Sequence, residues 1–79
     1  MKVEIYTKDN CVWCTRAKNL MSDLQISYSE HDLSDDYERK EFYKSIGEGV
    51  STVPQVYING KRIGGYKELS RWVESNGNK

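Results

Sequence analysis

The chain has few of the residues that cross-link a small fold, bind metals or interrupt secondary structure. It has two cysteines, one proline and one histidine among its 79 residues. The cysteines, Cys11 and Cys14, are three positions apart, and a bridge between them closes too small a loop to restrict the unfolded chain much. We therefore expect this pair to carry chemistry rather than to hold the fold together.

Charge of one sign and long apolar runs are also missing. Twelve basic residues balance twelve acidic residues, so the composition predicts neither nucleic acid nor a membrane as a partner. No apolar run is long enough to span a bilayer, and no basic-then-apolar leader begins the sequence. We expect a single domain over residues 1–79, a monomer in the reducing cytoplasm, where a C-x-x-C pair is usually catalytic or metal-binding.

The hydrophobic periodicity predicts seven elements in the order β-α-β-α-β-β-α. Helical crossovers should make the first two strands parallel, and the turn signal Asn59-Gly60 should make the last two an antiparallel hairpin. The sum is an α/β protein with the thioredoxin-like fold, a four-stranded mixed sheet flanked by three helices. The predicted strands are Met1–Tyr6, Ile26–Glu30, Val56–Ile58 and Lys61–Ile63, and the predicted helices run from Val12 to Leu24, from the N-cap Ser34 to Gly47 and from Lys67 to Ser75.

Several polar and aromatic side chains are assigned to packing or to the surface. Thr7–Asn10 is interpreted as a polar turn, and His31 as a surface residue at the end of a strand. The tail Asn76–Lys79 is expected to fray. Three aromatic residues at helical spacing are predicted to belong to the core and its rim: Tyr37, Phe42 and Tyr43.

The C-x-x-C motif lies directly after the first predicted strand and opens the first predicted helix. Free N–H groups and partial positive charge at a helix start favour the thiolate of Cys11, and Lys8 adds a positive charge nearby. Helix-start cysteines of this motif have pKa values of roughly 3.5–7.5, against ~8.5 for a free thiol. Cys14, one turn further in, is suited to resolve a mixed disulfide by attacking Cys11. A zinc site is the alternative, although zinc usually takes four ligands and His31 is the one other soft ligand.

Two further motifs are open to structural and functional interpretations. Thr52-Val53-Pro54 holds the single proline, which marks the edge of the third strand and, on statistics, follows a trans peptide bond. Gly64-Gly65 lets another chain approach closely before the last helix. Glu68 either favours the dipole of that helix or receives an ammonium group of a ligand.

With these three motifs together, the chain resembles the glutaredoxins from Val3 to about Glu74. The C-x-x-C after the first strand, the Thr-Val-Pro before the third and the Gly-Gly before the last helix agree in order and spacing. The segments Thr52–Ile58 and Ile63–Tyr66 particularly resemble the bacterial dithiol class that reduces ribonucleotide reductase.

The resemblance implies a glutathione-dependent oxidoreductase that reduces protein disulfides and glutathione mixed disulfides, with glutathione as co-substrate and no metal. Cys11 is implied as the nucleophile, Cys14 as the resolving thiol, and the bond before Pro54 as a cis bond that faces the disulfide. The implied partners are glutathione and disulfide-bearing or glutathionylated proteins, with ribonucleotide reductase as one candidate. Glutathione is implied to add to the Val53 backbone as a short strand. The implied glutathione-binding residues are Lys8, Trp13, Thr52, Val53, Pro54, Gly65, Tyr66, Lys67 and Glu68.

The sequence also departs from the family. The usual Cys-Pro-Tyr-Cys is here Cys-Val-Trp-Cys. Val12 therefore stands where proline, with a fixed φ that suits the first position of a helix, is usual. Lys67 stands where a small or acidic residue is usual, and Glu68 where Asp is common. Because cluster-binding members tend to lack that proline, a glutathione-ligated [2Fe-2S] cluster held by Cys11 of two subunits is the alternative function. A thioredoxin interpretation fits less well, because the motif of that family is Trp-Cys-Gly-Pro-Cys.

Overall fold

The computed structural model describes residues 1–76, which form seven elements in the predicted order. Of the tail predicted to fray, Asn76 is the last residue of the final helix, and residues 77–79 lie outside the described residues. No helix within residues 1–76 is long and apolar enough to cross a membrane. The elements are β1 (Val3–Thr7), α1 (Val12–Asp23), β2 (Ser29–Asp32), α2 (Asp36–Ile46), β3 (Gln55–Ile58), β4 (Lys61–Gly64) and α3 (Tyr66–Asn76).

The four strands form one mixed sheet in the order β2-β1-β3-β4. β1 pairs with β2 in parallel and with β3 antiparallel, and β3 pairs antiparallel with β4. The turn between β3 and β4 has positive φ at both of its residues, 53° at Asn59 and 81° at Gly60. This is the backbone that a two-residue hairpin needs. The mixed sheet and the hairpin are both confirmed.

One face of the sheet packs against α1 and α3 to form the core. Alternate residues of β1 and β3 point to this face, and the two helices add one apolar stripe each. The core therefore holds both helices against the same face of the sheet. The buried core residues are Val3, Ile5, Ala17, Met21, Val56, Ile58, Leu69 and Val73.

The other face of the sheet carries aromatic stacking against α2. Tyr6 stacks on His31 of β2 at 4.5 Å and on Phe42 of α2 at 4.4 Å between ring centroids. Burial raises the pKa of the Tyr6 hydroxyl above its ordinary value. Tyr37 is 72% exposed, so its assignment to the core and rim is wrong.

The second strand starts three residues later than predicted. Parallel pairing with β1 sets its register, with Glu4 opposite Ser29 and Thr7 opposite Asp32. Ile26 therefore precedes the strand, and His31 lies within it rather than at its end. Thr7, predicted in a turn, is the buried last residue of β1.

The N-cap of α2 is Asp35, so the prediction of Ser34 is wrong. The Asp35 carboxylate accepts the N–H of Glu38 at 2.9 Å. Ser34 instead uses its hydroxyl to accept the N–H of Asp9 at 2.9 Å, which ties the start of α2 to the turn before α1. Both residue types cap helices well, and the long-range bond to Asp9 decides between them.

Candidate active site

The start of α1 is built on the sulfur of Cys11. Cys11 is the N-cap of the helix, and its Sγ accepts the N–H of Cys14 at 3.1 Å. This confirms the predicted position of the motif at a helix start. N–H donors at that position stabilise negative charge, so the site favours the thiolate of a reduced Cys11.

The two cysteines form a disulfide and differ in access. Their Cα atoms are 5.2 Å apart. Cys14 is 1% exposed, whereas Cys11 is only half-buried. An external thiol or disulfide therefore reaches Cys11 first, and Cys14 is accessible chiefly through its partner.

The loop before β3 presents its backbone to Cys11. The carbonyl oxygen of Val53 lies 3.6 Å from Cys11 Sγ. The Val53–Pro54 peptide bond is cis, as the resemblance implies and against the statistical default. Pro54 is buried, while Thr52 is exposed and Val53 half-buried. The backbone of this loop is thus close to the reactive sulfur and open to solvent.

The start of α3 lies across from this loop and is capped by the side chain of Glu68. Glu68 Oε1 accepts the N–H of Gly65 at 2.9 Å, which is one half of a capping box, and the carbonyl of Gly65 accepts the N–H of Leu69 at 3.0 Å as the first bond of the helix. Gly64 has a φ of +129°, and a Cβ there would meet Glu68 Cγ at 2.8 Å, so this position needs glycine. The structural role considered for Glu68 is therefore present, and its exposed carboxylate also borders the groove described next.

A groove of about 810 Å³ separates the loop from α3. Thr52, Val53 and Pro54 line one side of it, and Gly65, Tyr66, Lys67 and Glu68 line the other. Eight of the nine predicted glutathione-binding residues meet here, the eighth being Trp13 of α1.

Trp13 and Tyr66 form an aromatic wall in this groove. Their ring centroids are 5.4 Å apart, and Trp13 is 52% exposed. The guanidinium carbon of Arg16 lies 4.8 Å from the centroid of the Trp13 ring. This cation–π contact steadies an otherwise exposed indole beside the disulfide.

Lys8 does not join the other eight predicted residues. It lines a separate cleft of about 610 Å³ that also includes both cysteines, Lys18 and Glu30. Cys11 connects the two openings, because it lines this cleft while its sulfur lies against Val53 of the groove. Lys8 therefore shares a cleft with Cys11 and does not line the groove.

A polar network beneath this cleft was not predicted. The buried Thr7 donates its hydroxyl to Glu30 Oε2 at 2.7 Å, and Lys18 Nζ donates to the same oxygen at 3.0 Å. These bonds, that from Thr7 foremost, hold the pKa of Glu30 below its ordinary value. The helical spacing of Lys18 and Cys14, four residues apart, is the one sequence signal that relates this network to the motif.

No group of three or more His, Cys, Asp or Glu side chains within residues 1–76 is arranged to hold a metal ion.

Both the sequence and the fold resemble known proteins. The sequence model of the family described as Glutaredoxin matches residues 3–63. Glutaredoxin 3 of Escherichia coli strain K12 is 41% identical over 68 residues, which cover 85% of this chain and 80% of that protein. The crystal structure of glutaredoxin 1 from Francisella tularensis, complexed with cacodylate, has a TM-score of 0.89 and 33% identity, covering 99% of this chain and 98% of its own. A buckwheat glutaredoxin–glutathione complex has a TM-score of 0.77 and 26% identity, covering 95% of this chain and 69% of its own.

Proposed function

The chain belongs to the glutaredoxin family and is a thiol–disulfide oxidoreductase, and from this premise we propose that glutathione supplies its electrons. The observation that carries the proposal is the position of the Cys11 sulfur. It caps α1 at the N–H of Cys14 and lies 3.6 Å from the carbonyl oxygen of Val53, a residue that lines the groove of about 810 Å³. A glutathione-type mixed disulfide can therefore reach the nucleophile and a backbone edge at the same time.

On glutathionylated proteins the reaction needs Cys11 alone. The Cys11 thiolate attacks the glutathione sulfur of the mixed disulfide, the S–S bond to the protein breaks, and the protein leaves as a thiolate that takes up a proton. A second glutathione thiolate then attacks the sulfur of the bound glutathione. Oxidised glutathione leaves, and the Cys11 thiolate is restored.

On protein disulfides Cys14 completes the exchange. Cys11 attacks one sulfur of the substrate, and Cys14 loses its proton and attacks Cys11. The substrate leaves as a dithiol, and the Cys11–Cys14 disulfide remains, which is the state of the structure. Two glutathione molecules then reduce this disulfide. The burial of Cys14 supports its role as the second thiol in this order.

Glutathione is proposed to lie along the groove with its cysteinyl unit paired to the Val53 backbone. The Trp13–Tyr66 wall would cover its apolar atoms. At the start of α3, the exposed charges of Lys67 and Glu68 are opposite in sign, as are the carboxylate and ammonium of the γ-glutamyl end. Thr52, Pro54 and Gly65 complete the walls, and Lys8 would meet the glycine carboxylate from the cleft that it shares with Cys11.

We also propose the compartment, the substrates and the oligomeric state of the protein. A dithiol that glutathione must keep reduced suits the cytoplasm, and the substrates are disulfide-bearing or glutathionylated proteins, with ribonucleotide reductase as one candidate. We propose that residues 1–79 act as a single domain and as a monomer, because the mechanism uses the thiols of one chain.

A coupled assay tests the source of electrons. The protein is supplied with glutathione, glutathione reductase and NADPH, and a glutathionylated peptide is the substrate. We expect NADPH oxidation that depends on both the protein and glutathione, and none when thioredoxin reductase replaces the glutathione system. Reduction by thioredoxin reductase alone would contradict the proposal. The visible absorbance of protein purified without oxygen separates this activity from the iron–sulfur alternative, since a cluster is coloured.

A further inference from the structure

The loop that carries Thr52, Val53 and Pro54 has little packing of its own. It covers residues 47–54 between α2 and β3, and most of its residues before Val53 are exposed. Its internal backbone bond, from the N–H of Val50 to the carbonyl of Gly47 at 3.1 Å, closes a local turn only. The distance between Val53 and Cys11 must therefore depend on contacts from outside the loop.

Arg62 of β4 provides such contacts at both ends of the loop. Its guanidinium donates to Glu48 Oε1 at 3.2 Å near the start of the loop and to Gln55 Oε1 at 3.1 Å just after its end. Gln55 in turn donates its side-chain amide to the carbonyl of Thr52 at 3.0 Å. One side chain thus ties the loop to the sheet directly at Glu48 and through Gln55 at Thr52.

The connection through Gln55 is more rigid than the ion pair with Glu48. Gln55 is 4% exposed, and both ends of its amide have partners, so any movement of Thr52 leaves a buried polar group unsatisfied. The side chain of Glu48 is 73% exposed, and water competes with its ion pair to Arg62. The planar fork of Arg can serve the two acceptors together, which the single ammonium of Lys does less well.

We infer that Arg62 and Gln55 are positioning residues that hold the backbone of Thr52 and Val53 beside Cys11. The inference rests on the proposed use of glutathione, because that backbone is the surface with which glutathione would pair. Neither side chain borders the groove or the cleft, so their effect would pass through the loop. A fixed backbone edge lowers the ordering needed when a peptide adds to it.

The test compares Arg62→Met with Lys61→Met, its matched control. Both remove one positive charge from β4, but Lys61 is exposed and has no ion pair within residues 1–76. The readouts are amide hydrogen exchange at Gly47 and Val50, the loop residues whose N–H groups are hydrogen-bonded, and the KM and kcat for a glutathionylated peptide in the coupled assay. For Arg62→Met we expect exchange in this loop about tenfold faster and KM about three- to tenfold higher, with kcat within about twofold of the parent. Lys61→Met should match the parent protein in both readouts.

Arg62→Lys keeps the positive charge but replaces the planar guanidinium, which serves two acceptors, with a single ammonium. Its KM and loop exchange should therefore lie between those of Arg62→Met and the parent. This variant also serves if Arg62→Met does not fold. The inference is overturned if loop exchange and KM stay at parental values in both variants. It is equally overturned if exchange rises throughout the sheet, or if kcat falls with no change in KM. If the parent protein does not use glutathione in the coupled assay, the proposed function is contradicted instead. Hydrogen exchange of the loop alone then decides whether Arg62 and Gln55 position it.

Discussion

Helices α1 and α2 begin with the same hydrogen bond but in opposite electrostatic settings. At α1, Cys11 Sγ accepts the N–H three residues ahead at 3.1 Å, and at α2, Asp35 Oδ2 does the same at 2.9 Å. The first turn of α1 contains no acidic residue, whereas that of α2 contains Asp36 and Glu38.

The difference explains how one backbone geometry serves two purposes. Carboxylates neutralise the positive end of α2, so we expect its cap to contribute to stability and not to activity. The positive end of α1 has no carboxylate in its first turn, and the sulfur at its cap is the group that gains from it. We therefore expect changes at the two caps to separate activity from stability.

The largest effect should follow from Cys11→Ser. A serine oxygen can still accept the N–H of Cys14, so the cap survives, but an alcohol does not exchange with disulfides. We expect the coupled assay to fall to background, with the thermal midpoint within a few degrees of the reduced parent protein. Activity above background in this variant would place the nucleophile elsewhere.

The corresponding change at α2, Asp35→Ala, should show the reverse pattern. It removes the acceptor for the N–H of Glu38 and should cost about 1 kcal/mol of unfolding free energy, measured with urea. The kcat and KM of the coupled assay should stay at parental values, because Asp35 lies outside both openings around the disulfide. A loss of activity larger than the loss of folded protein would end the separation of the two caps.

A carboxylate in the first turn of α1 should make its cap resemble that of α2. Val12 is 64% exposed, so Val12→Asp is accommodated without repacking, and Val12→Asn is a control of similar shape. The charge should destabilise the thiolate by about 0.3–1 kcal/mol, which moves the midpoint of the pH dependence of iodoacetamide alkylation of reduced Cys11 upward by about 0.2 to 0.7 of a pH unit. High salt should remove most of the difference. Equal midpoints for the Asp and Asn variants at low salt would contradict the electrostatic comparison.

The smallest effect concerns acid pH at the start of α2. A hydrogen bond from Arg39 holds the pKa of Asp36 below its ordinary value. Because the pKa of Asp36 is lower in the folded than in the unfolded protein, its ionisation stabilises the fold at pH values above the ordinary carboxyl pKa of about 3.9. This contribution is lost as pH falls below that value and through the folded-state pKa. The protection of α2 amides, relative to the intrinsic exchange rate at each pH, should therefore fall over this range more than that of α1 amides, and Asp36→Asn should flatten the fall. A parallel loss of protection in both helices would argue against a local cause.

Patterns of apolar residues predicted the parts of the fold that the core determines. β1, α1, α3 and the hairpin follow from alternation, helical stripes and the Asn59-Gly60 turn. The predictions failed where pairing or long-range polar bonds decide. The register of β2 is set by its pairing with β1. Ser34 does not cap α2, because its hydroxyl accepts the N–H of Asp9.

Within the site, the sequence predicted the motif residues but not the polar contacts that surround them. Three short motifs located the disulfide and both walls of the groove. The Thr7–Glu30 and Arg62–Gln55 contacts join residues that are distant in the chain or lie on different strands, and they leave no periodic signal in the sequence. Lys8 is close to the motif in sequence, yet it lines the separate cleft and not the groove with the other eight residues.

The most direct test of the account is to find which cysteine takes up glutathione. Cys11→Ser and Cys14→Ser proteins are reduced and treated with oxidised glutathione in separate reactions under identical conditions, and intact-mass spectra follow the adduct on each variant over time. We expect rapid glutathionylation of the Cys14→Ser protein, in which Cys11 remains, and retained activity of this variant on glutathionylated peptides. We expect slow or no adduct on the Cys11→Ser protein, in which the buried Cys14 remains. An adduct that forms on Cys14 as fast as on Cys11, or faster, would contradict the assignment of the nucleophile.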